Sequence, residues 1–426
     1  MVLCGVSAQY QPAEIKRNYA LLLAEGILFT VGQVFFDPNT ILPLLMERLT
    51  GSVFLVGLLG AVQPLTKGFV PVLAGNWVSS LPYKRRFLIT VIAIGRLPLW
   101  LLGAALVFLP RLAPAAPAAV WAGIILLVQV LFWFGDSAGD PAWMDLVGKS
   151  VPVRRRGRFF ALRQVVGGGT SIVAGAAVAA LLALEALSFP VNYGVVVAIG
   201  AVIYTGNVGT FVAMIERPSR IGERLSLPTL VKRLPEFLRA NAVFARTMAV
   251  LLLVNLARIS LPFFIVFGRR EFGLGEGSLA FILPLQMAGR ISGAALWGYI
   301  GDRFGHHLGI RGVAAAFAVP SLLGLVAAFA LPATLAPIAF PVLFFFLGFA
   351  LEGWPPFINY MLEIVAEDER PMYAGLMSVG FMPAALAPVV GGVLIEATGF
   401  GPLFAVAAVL ACCGLVVSLK LPAATR

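Results

Sequence analysis

Long apolar stretches alternate with short polar ones from one end of the chain to the other. The apolar runs cover about residues 19–45, 51–81, 87–109, 118–147, 159–184, 189–215, 243–268, 277–301, 309–331, 335–364, 371–396 and 400–420. Each is near or above the ~20 residues that cross the hydrocarbon core of a bilayer as a helix. One longer polar segment, from Glu216 to about Asn241, separates the sixth run from the seventh. Within it Leu227, Leu230, Val231, Leu234, Phe237 and Leu238 recur at helical spacing, which predicts an amphipathic helix lying on the membrane surface. The pattern therefore predicts an all-α integral membrane protein with twelve transmembrane helices.

Composition supports this and removes other classes. The chain is 60% hydrophobic and 12% charged, with a mean hydropathy of +0.95, whereas soluble domains carry about 25% charged residues. The net charge of +11 is not a nucleic-acid signal, because the basic residues gather in every second loop. Lys84, Arg85 and Arg86 fill one such loop, Lys149, Arg154, Arg155, Arg156 and Arg158 the next, and Arg217, Arg220, Arg224, Lys232, Arg233 and Arg239 the long linker. The alternate loops hold only Arg48, Arg111, Arg269 and Arg270. By the positive-inside rule, the linker and both termini face the cytoplasm, and the membrane is the inner or plasma membrane. The three cysteines, Cys4, Cys412 and Cys413, lack metal-ligand spacing, and the two histidines share one loop. No His-Glu-x-x-His or phosphate-binding Gly-x-x-x-x-Gly-Lys occurs, so neither enzyme chemistry, a metal nor a cofactor is expected. The N-terminus is polar up to Tyr19 and shows no cleavable signal, so the first span is expected to stay as an anchor.

The chain also repeats itself. Met144-Asp145-Leu146-Val147, a basic loop and Arg156-Gly157-Arg158-Phe159 join the fourth span to the fifth. Leu362-Glu363-Ile364-Val365, a shorter loop and Arg370-Pro371-Met372-Tyr373 join the tenth to the eleventh in the same way. Between the eighth and ninth spans stands Gly298-Tyr299-Ile300-Gly301-Asp302-Arg303-Phe304-Gly305-His306-His307, with a degenerate counterpart at Gly75 to Arg86 in which Ser79 takes the aspartate position. This run resembles the loop signature of the major facilitator superfamily, Gly-x-x-x-Asp-Arg-x-Gly followed by two basic residues, here His306 and His307. The resemblance covers essentially the whole chain. It implies two six-helix bundles, residues 1–215 and 242–426, joined by a cytoplasmic linker at 216–241. It also implies a transporter in which the solute sits between the bundles and rocking exposes it to alternate sides. The glycines of the run are expected to let two helices approach closely and turn sharply. Asp302, with Gly298, Arg303 and Gly305, would form a gating loop, its partners being Arg158 and Arg163 at the start of the fifth span.

In that family the first, fourth, seventh and tenth spans line the cavity, and polar groups lie on all four. They are Glu25, Gln33, Asp37 and Asn39 on the first, Asp136 and Asp140 on one face of the fourth, Asn255 and Arg258 on the seventh, and Glu352 and Asn359 on the tenth. Charges in hydrocarbon cost at least ~2.5–3.5 kcal/mol each on insertion scales, so such residues face protein or a wet cavity. Each also has a bland reading: Asp37 as a cap on broken backbone, Glu25 as a partner for an inner-loop arginine, Asp136 and Asp140 as braces, and Arg258 with Glu352 as a buried ion pair. Lys67 and Arg290 lie near mid-span on the second and eighth segments, which flank the path in the family; Arg96, on the third, is expected as a packing partner.

Around mid-depth, Lys67, Arg96, Arg258 and Arg290 outnumber Asp136 and Glu352, which favours an anionic solute or one rich in acceptor oxygens. If transport is coupled to protons, Glu352 and Asp136 are the titratable candidates. The expected partners are thus a small solute, protons, the lipid bilayer and no nucleic acid, with the chain acting as a monomer. The alternatives are a proton-driven exporter of lipophilic drugs, and a non-transporting receptor or assembly factor that keeps the fold.

Overall fold

Lipid offers no hydrogen-bond partners, so each crossing segment must bond its own backbone, and it does so as helix. The computed structural model describes residues 11–113, 115–152, 155–218, 227–332, 334–365, 373, 376–378, 380 and 382–423. Among these, twelve segments are long and apolar enough to cross a membrane. In the first half they are α1 (Pro12–Phe35, followed by the short α2, Ile41–Thr50), α3 (Val53–Val78), α4 (Arg85–Leu112), α5 (Ala118–Ser150), α6 (Arg156–Leu182) and α7 (Val191–Ala213). After α8 (Leu227–Ala240), the second half crosses as α9 (Ala242–Ala257) with α10 (Phe263–Phe272), α11 (Leu279–Phe304), α12 (His306–Ala330), and α13 (Ala336–Leu351) with α14 (Trp354–Ile364). It ends with α15 (Ala387–Thr398), preceded by a 3-10 turn at Met382–Leu386, and α16 (Phe400–Ser418). Large apolar side chains such as Leu97, Leu101, Phe329 and Ile338 are exposed on the outside of these helices, as a lipid-facing surface requires.

Among the described residues, the first, seventh and tenth spans, which read as unbroken in sequence, are interrupted, each for a local reason. After α1, Asp37 Oδ1 accepts from the Asn39 N–H and the Thr40 hydroxyl, both at 2.8 Å, and Pro38 between them has no N–H to continue a helix. The seventh span changes to a 3-10 turn at Arg258–Ser260 before Pro262. The tenth breaks at Glu352 and Gly353, and α14 restarts with prolines in its first turn. By contrast, α3 runs through Pro64 and Pro71, and α5 through Pro141.

Arg17 and Asn18 of α1 bond the carbonyls of Ala213 and Ile215 after α7, and Arg311 of α12 bonds the carbonyls of Ser418, Leu419 and Leu421 after α16. Both ends of the described chain, and α8, therefore share one end of the molecule, called the terminal end below. The core differs between the two ends. Away from the termini a single apolar cluster joins both sets of helices, including Leu42, Val56 and Leu59 with Phe263, Phe267 and Leu283. At the terminal end, separate clusters form around Leu88, Leu146 and Phe159 and around Phe244, Phe357 and Tyr360. A cleft between the two sets thus opens toward the termini. From the apolar face of α8, Leu234, Phe237 and Leu238 pack on the second set's core, with Phe237 edge-on to Tyr373 at 5.1 Å. The residues from Ala366 to Met372, which include most of the second helix-to-helix repeat, lie outside the described residues.

Candidate functional site

The polar groups assemble into two unlike constellations. In the first set, α3, α4 and α5 bring Lys67, Arg96, Asp136 and Asp140 together. Lys67 Nζ donates to Asp136 Oδ2 and to Asp140 Oδ2, both at 2.9 Å, and Arg96 Nη2 donates to Asp136 Oδ1 at 2.7 Å. Asp136 and Asp140 are one helical turn apart, which is why a single lysine reaches both. Arg96 is buried, as expected of a packing partner, and its guanidinium lies 4.0 Å from the centroid of the Phe132 ring and 4.4 Å from that of Tyr204. Flat aromatic faces attract a desolvated cation and help hold it where Asp136 alone supplies the counter-charge.

Beside this knot Glu25 is fixed by three groups. Trp143 Nε1 donates to Oε2 at 3.1 Å, Asn207 Nδ2 donates to Oε1 at 3.3 Å, and Arg163 Nη2 stands 3.7 Å away. Glu25 therefore has an arginine partner, but from within α6 and not from an inner loop. Arg163, expected at the gating loop, is committed to Glu25 and stacks on Trp143 at 4.9 Å. These residues enclose a cavity of about 130 Å³ lined by Glu25, Lys67, Arg96, Asp136, Asp140 and Arg163, with Trp143 and Asn207 in its wall. Neither Trp143 nor Asn207 stood out in the sequence, since an indole and an amide on apolar helices carry no periodic signal.

The second set is sparser. Glu352, at the break between α13 and α14, accepts from Arg290 Nε of α11 at 2.6 Å. Arg290 thus takes the place assigned to Arg258 in the expected buried pair. Arg258, at the break after α9, donates to Asn255 Oδ1 at 3.3 Å, and among the described residues no carboxylate lies within 4 Å of it. Two small spaces flank it: one of about 30 Å³ reaching Asn39, Gln63 and Pro64 of the first set, and one of about 40 Å³ toward Phe317 and Trp354. Gln63 is one turn from Lys67 along α3, so through the first of these spaces Arg258 faces the turn of α3 before Lys67. Asn359 lies half-buried two turns beyond Glu352, on α14. Gln33 is half-buried, one turn before the break that Asp37 caps. Asp37 itself is buried and turned into that break.

At the end away from the termini the two sets are locked. Glu47 of α2 pairs with Arg269 at 3.4 Å and with Arg270 at 3.0 Å, and Arg270 Nη2 also donates to the Gly51 carbonyl at 2.6 Å. Glu396 of α15 accepts from the Phe54 N–H at 3.3 Å. A Cβ at Gly57 would collide with the Pro388 carbonyl, so α3 and α15 touch backbone to backbone there. Sequence reading missed this lock because it counted Arg269 and Arg270 only as loop charges. In the motif between the eighth and ninth spans, Gly305 adopts φ +95° and makes the turn, and Gly301 packs under His306. Gly298 differs from expectation: a Cβ there meets nothing within 4 Å, so it marks no close approach in this conformation. Asp302 and Arg303 are exposed in the last turn of α11, and Arg158 is exposed near the start of α6.

One end is sealed by ion pairs and backbone contact, and charged groups front a cleft open at the other. This is how an alternating-access carrier looks when it is closed to one side. The comparisons agree. The family model of the Major Facilitator Superfamily matches residues 26–319 and 248–426. No curated protein sequence matches the chain. Among solved structures, it is similar to the nucleoside transporter NupG, with TM-score 0.71, 14% identity, and 95% of this chain and 98% of that one covered. It is similar also to a bacterial homologue of the iron transporter ferroportin in an inward-facing state, with TM-score 0.67, 18% identity and coverage of 96% and 99%. A D-xylose-proton symporter aligns with TM-score 0.68, 14% identity and coverage of 97% and 99%. With a family model spanning nearly all its residues and a fold shared end to end with these structures, the chain belongs to the Major Facilitator Superfamily.

Proposed function

We propose that this transporter carries a small polar solute of net negative charge, held in the cleft between a bundle formed by residues 1–215 and one formed by residues 242–426. Lys67 and Asp140 contact it from the first bundle, and Asn255 and Arg258 from the second. The linker at 216–241 and both termini face the cytoplasm of a cell whose inner or plasma membrane holds the protein as a monomer. In that orientation the present conformation opens inward.

The observation that carries the anionic reading is Arg258. The sequence count left a surplus of two cations at mid-depth; Asp140 joins the first bundle's knot and offsets one of them. The surplus falls to Arg258, which fronts the cleft with an amide as its partner and no carboxylate within reach. A guanidinium in a low-dielectric cleft recruits a carboxylate or phosphate strongly, with charge-assisted hydrogen bonds. The positive-inside orientation rests on Lys84, Arg85, Lys149 and Arg217 lying at the terminal end. That a nucleoside transporter and a D-xylose-proton symporter share the fold supports a small polar cargo.

Purified protein in liposomes tests this. Uptake of labelled small carboxylates or phosphates should be saturable and should be inhibited by other anions. Flux inhibited only by cationic or wholly apolar compounds would overturn the anionic assignment.

A further inference from the structure

Lys67, Arg96, Asp136 and Asp140 carry two positive and two negative charges, so the knot is neutral as built. Its two carboxylates are not equivalent. Asp136 has a side-chain exposure of 9% and bonds both Lys67 and Arg96, whereas Asp140 is 41% exposed and shares Lys67 alone. Neutralising Asp136 would leave the buried Arg96 without its counter-charge, which is costly. Neutralising Asp140 would leave Lys67 and Arg96 both bonded to Asp136. The other charged groups around the cavity are already satisfied: Glu25 from α1 is held by Arg163 of α6, Trp143 and Asn207. In the second set, a neutral Glu352 would strand Arg290. Among the described carboxylates that line this cavity, Asp140 is the one whose neutralisation leaves every buried cation paired.

We propose that Asp140 is the proton-loading group of this transporter, and that its protonation frees Lys67 from it to bind the anionic solute. The proposal rests on the anionic reading given above. The charges balance at each stage. A proton from the side on which the cleft opens converts the Asp140 carboxylate to the acid, and the knot becomes +1. A monoanion then bonds the Lys67 ammonium in place of Asp140 and returns it to zero. One proton is therefore bound for each negative charge, and the loaded knot carries no net charge of its own while its exposure switches from one side to the other. Asp140 becomes a specificity residue as well: while ionised it competes with the solute for Lys67. This moves the coupling role from Asp136 and Glu352, named from sequence, to Asp140.

Two measurements test it. The first is pH-difference infrared spectroscopy of the purified full-length protein in detergent, which needs no solute. Acidification should produce a protonated-carboxyl band that Asp140→Asn removes and Glu352→Gln keeps. A band that survives in Asp140→Asn, or one lost in Glu352→Gln, overturns the assignment. The second is proteoliposome uptake of lactate and benzoate. The intact protein should accumulate them along an imposed proton gradient; Asp140→Asn should lose that accumulation and the pH dependence of exchange, and Asp140→Glu should restore both. Flux of these anions that ignores the gradient overturns the coupling and leaves the anionic reading intact. No flux of either anion, with the infrared band still assigned to Asp140, overturns the anionic reading and the partner exchange with it.

Discussion

The charged knot of the first half and the charges of the second half are positioned by different means. In the first half the spans that carry the knot are continuous: α5 runs 33 residues without a break, and Asp136 and Asp140 project from neighbouring turns of it. Their positions are set by regular helix geometry, and three helices converge on them. In the second half two of the charges sit at interruptions, while Arg290 lies within the continuous α11. Arg258 occupies the 3-10 turn between α9 and α10, and Glu352 the gap between α13 and α14. An interrupted helix leaves backbone groups free at mid-depth and can re-aim a side chain by a small torsional change. The difference teaches that sequence repeats need not yield repeated sites. One half holds a braced, neutral cluster; the other holds one ion pair and, at a helix break, a cation with an amide as its partner.

Mutations can break or sharpen that comparison. The largest effect is expected for Asp136→Asn. It leaves Arg96 buried among aromatic rings with no counter-charge, a loss of about 3–5 kcal/mol. Thermal unfolding in detergent should show a strongly lowered midpoint; an unchanged midpoint would mean the first half is not braced by this knot. Next comes Arg258→Ala, which removes a cation whose side-chain partner among the described residues is the Asn255 amide. Stability should hold while solute affinity falls about 10–100-fold, from the ~1.5–3 kcal/mol of a charge-assisted bond. Arg258→Lys should recover part of it. A large loss of stability with unchanged affinity would make Arg258 as structural as Arg96.

Glu47→Gln acts where the halves are joined. Its arginine partners are each about a third exposed, 33% and 34%, so the discounted effect is about 1 kcal/mol. It should raise thiol labelling of a Val53→Cys probe in a chain lacking Cys4, Cys412 and Cys413. Equal labelling with and without Glu47 would show that backbone contact at Gly57 seals that end without the ion pairs. The smallest effect is expected for Tyr373→Ala, which removes the ring contacts to Phe237 at 5.1 Å and Phe244 at 4.6 Å. A loss of about 1 kcal/mol should appear as faster proteolysis of the linker.

The sequence by itself determined the number of crossings, their approximate limits and the membrane as solvent. An apolar run of the right length has one low-energy solution in lipid, and the alternating loop charges give its expected direction. It also supplied the polar residues on the first, fourth, seventh and tenth spans, because any charge in hydrocarbon is conspicuous. What it could not supply was pairing. Arg290 and not Arg258 takes Glu352, Arg163 takes Glu25, Arg269 and Arg270 close on Glu47, and Lys67 bridges two aspartates 69 and 73 residues away. Such partners are fixed by helix rotation and depth, which depend on how side chains interlock across the bundle. One residue's worth of rotation, 100° on a helix, moves a charge from one neighbour to another without altering the hydropathy pattern. The breaks at Asp37, Arg258 and Glu352 were hidden for a related reason. Proline and glycine are common in membrane helices, and only packing decides which of them interrupt the helix and which, like Pro64 and Pro71, it runs straight through.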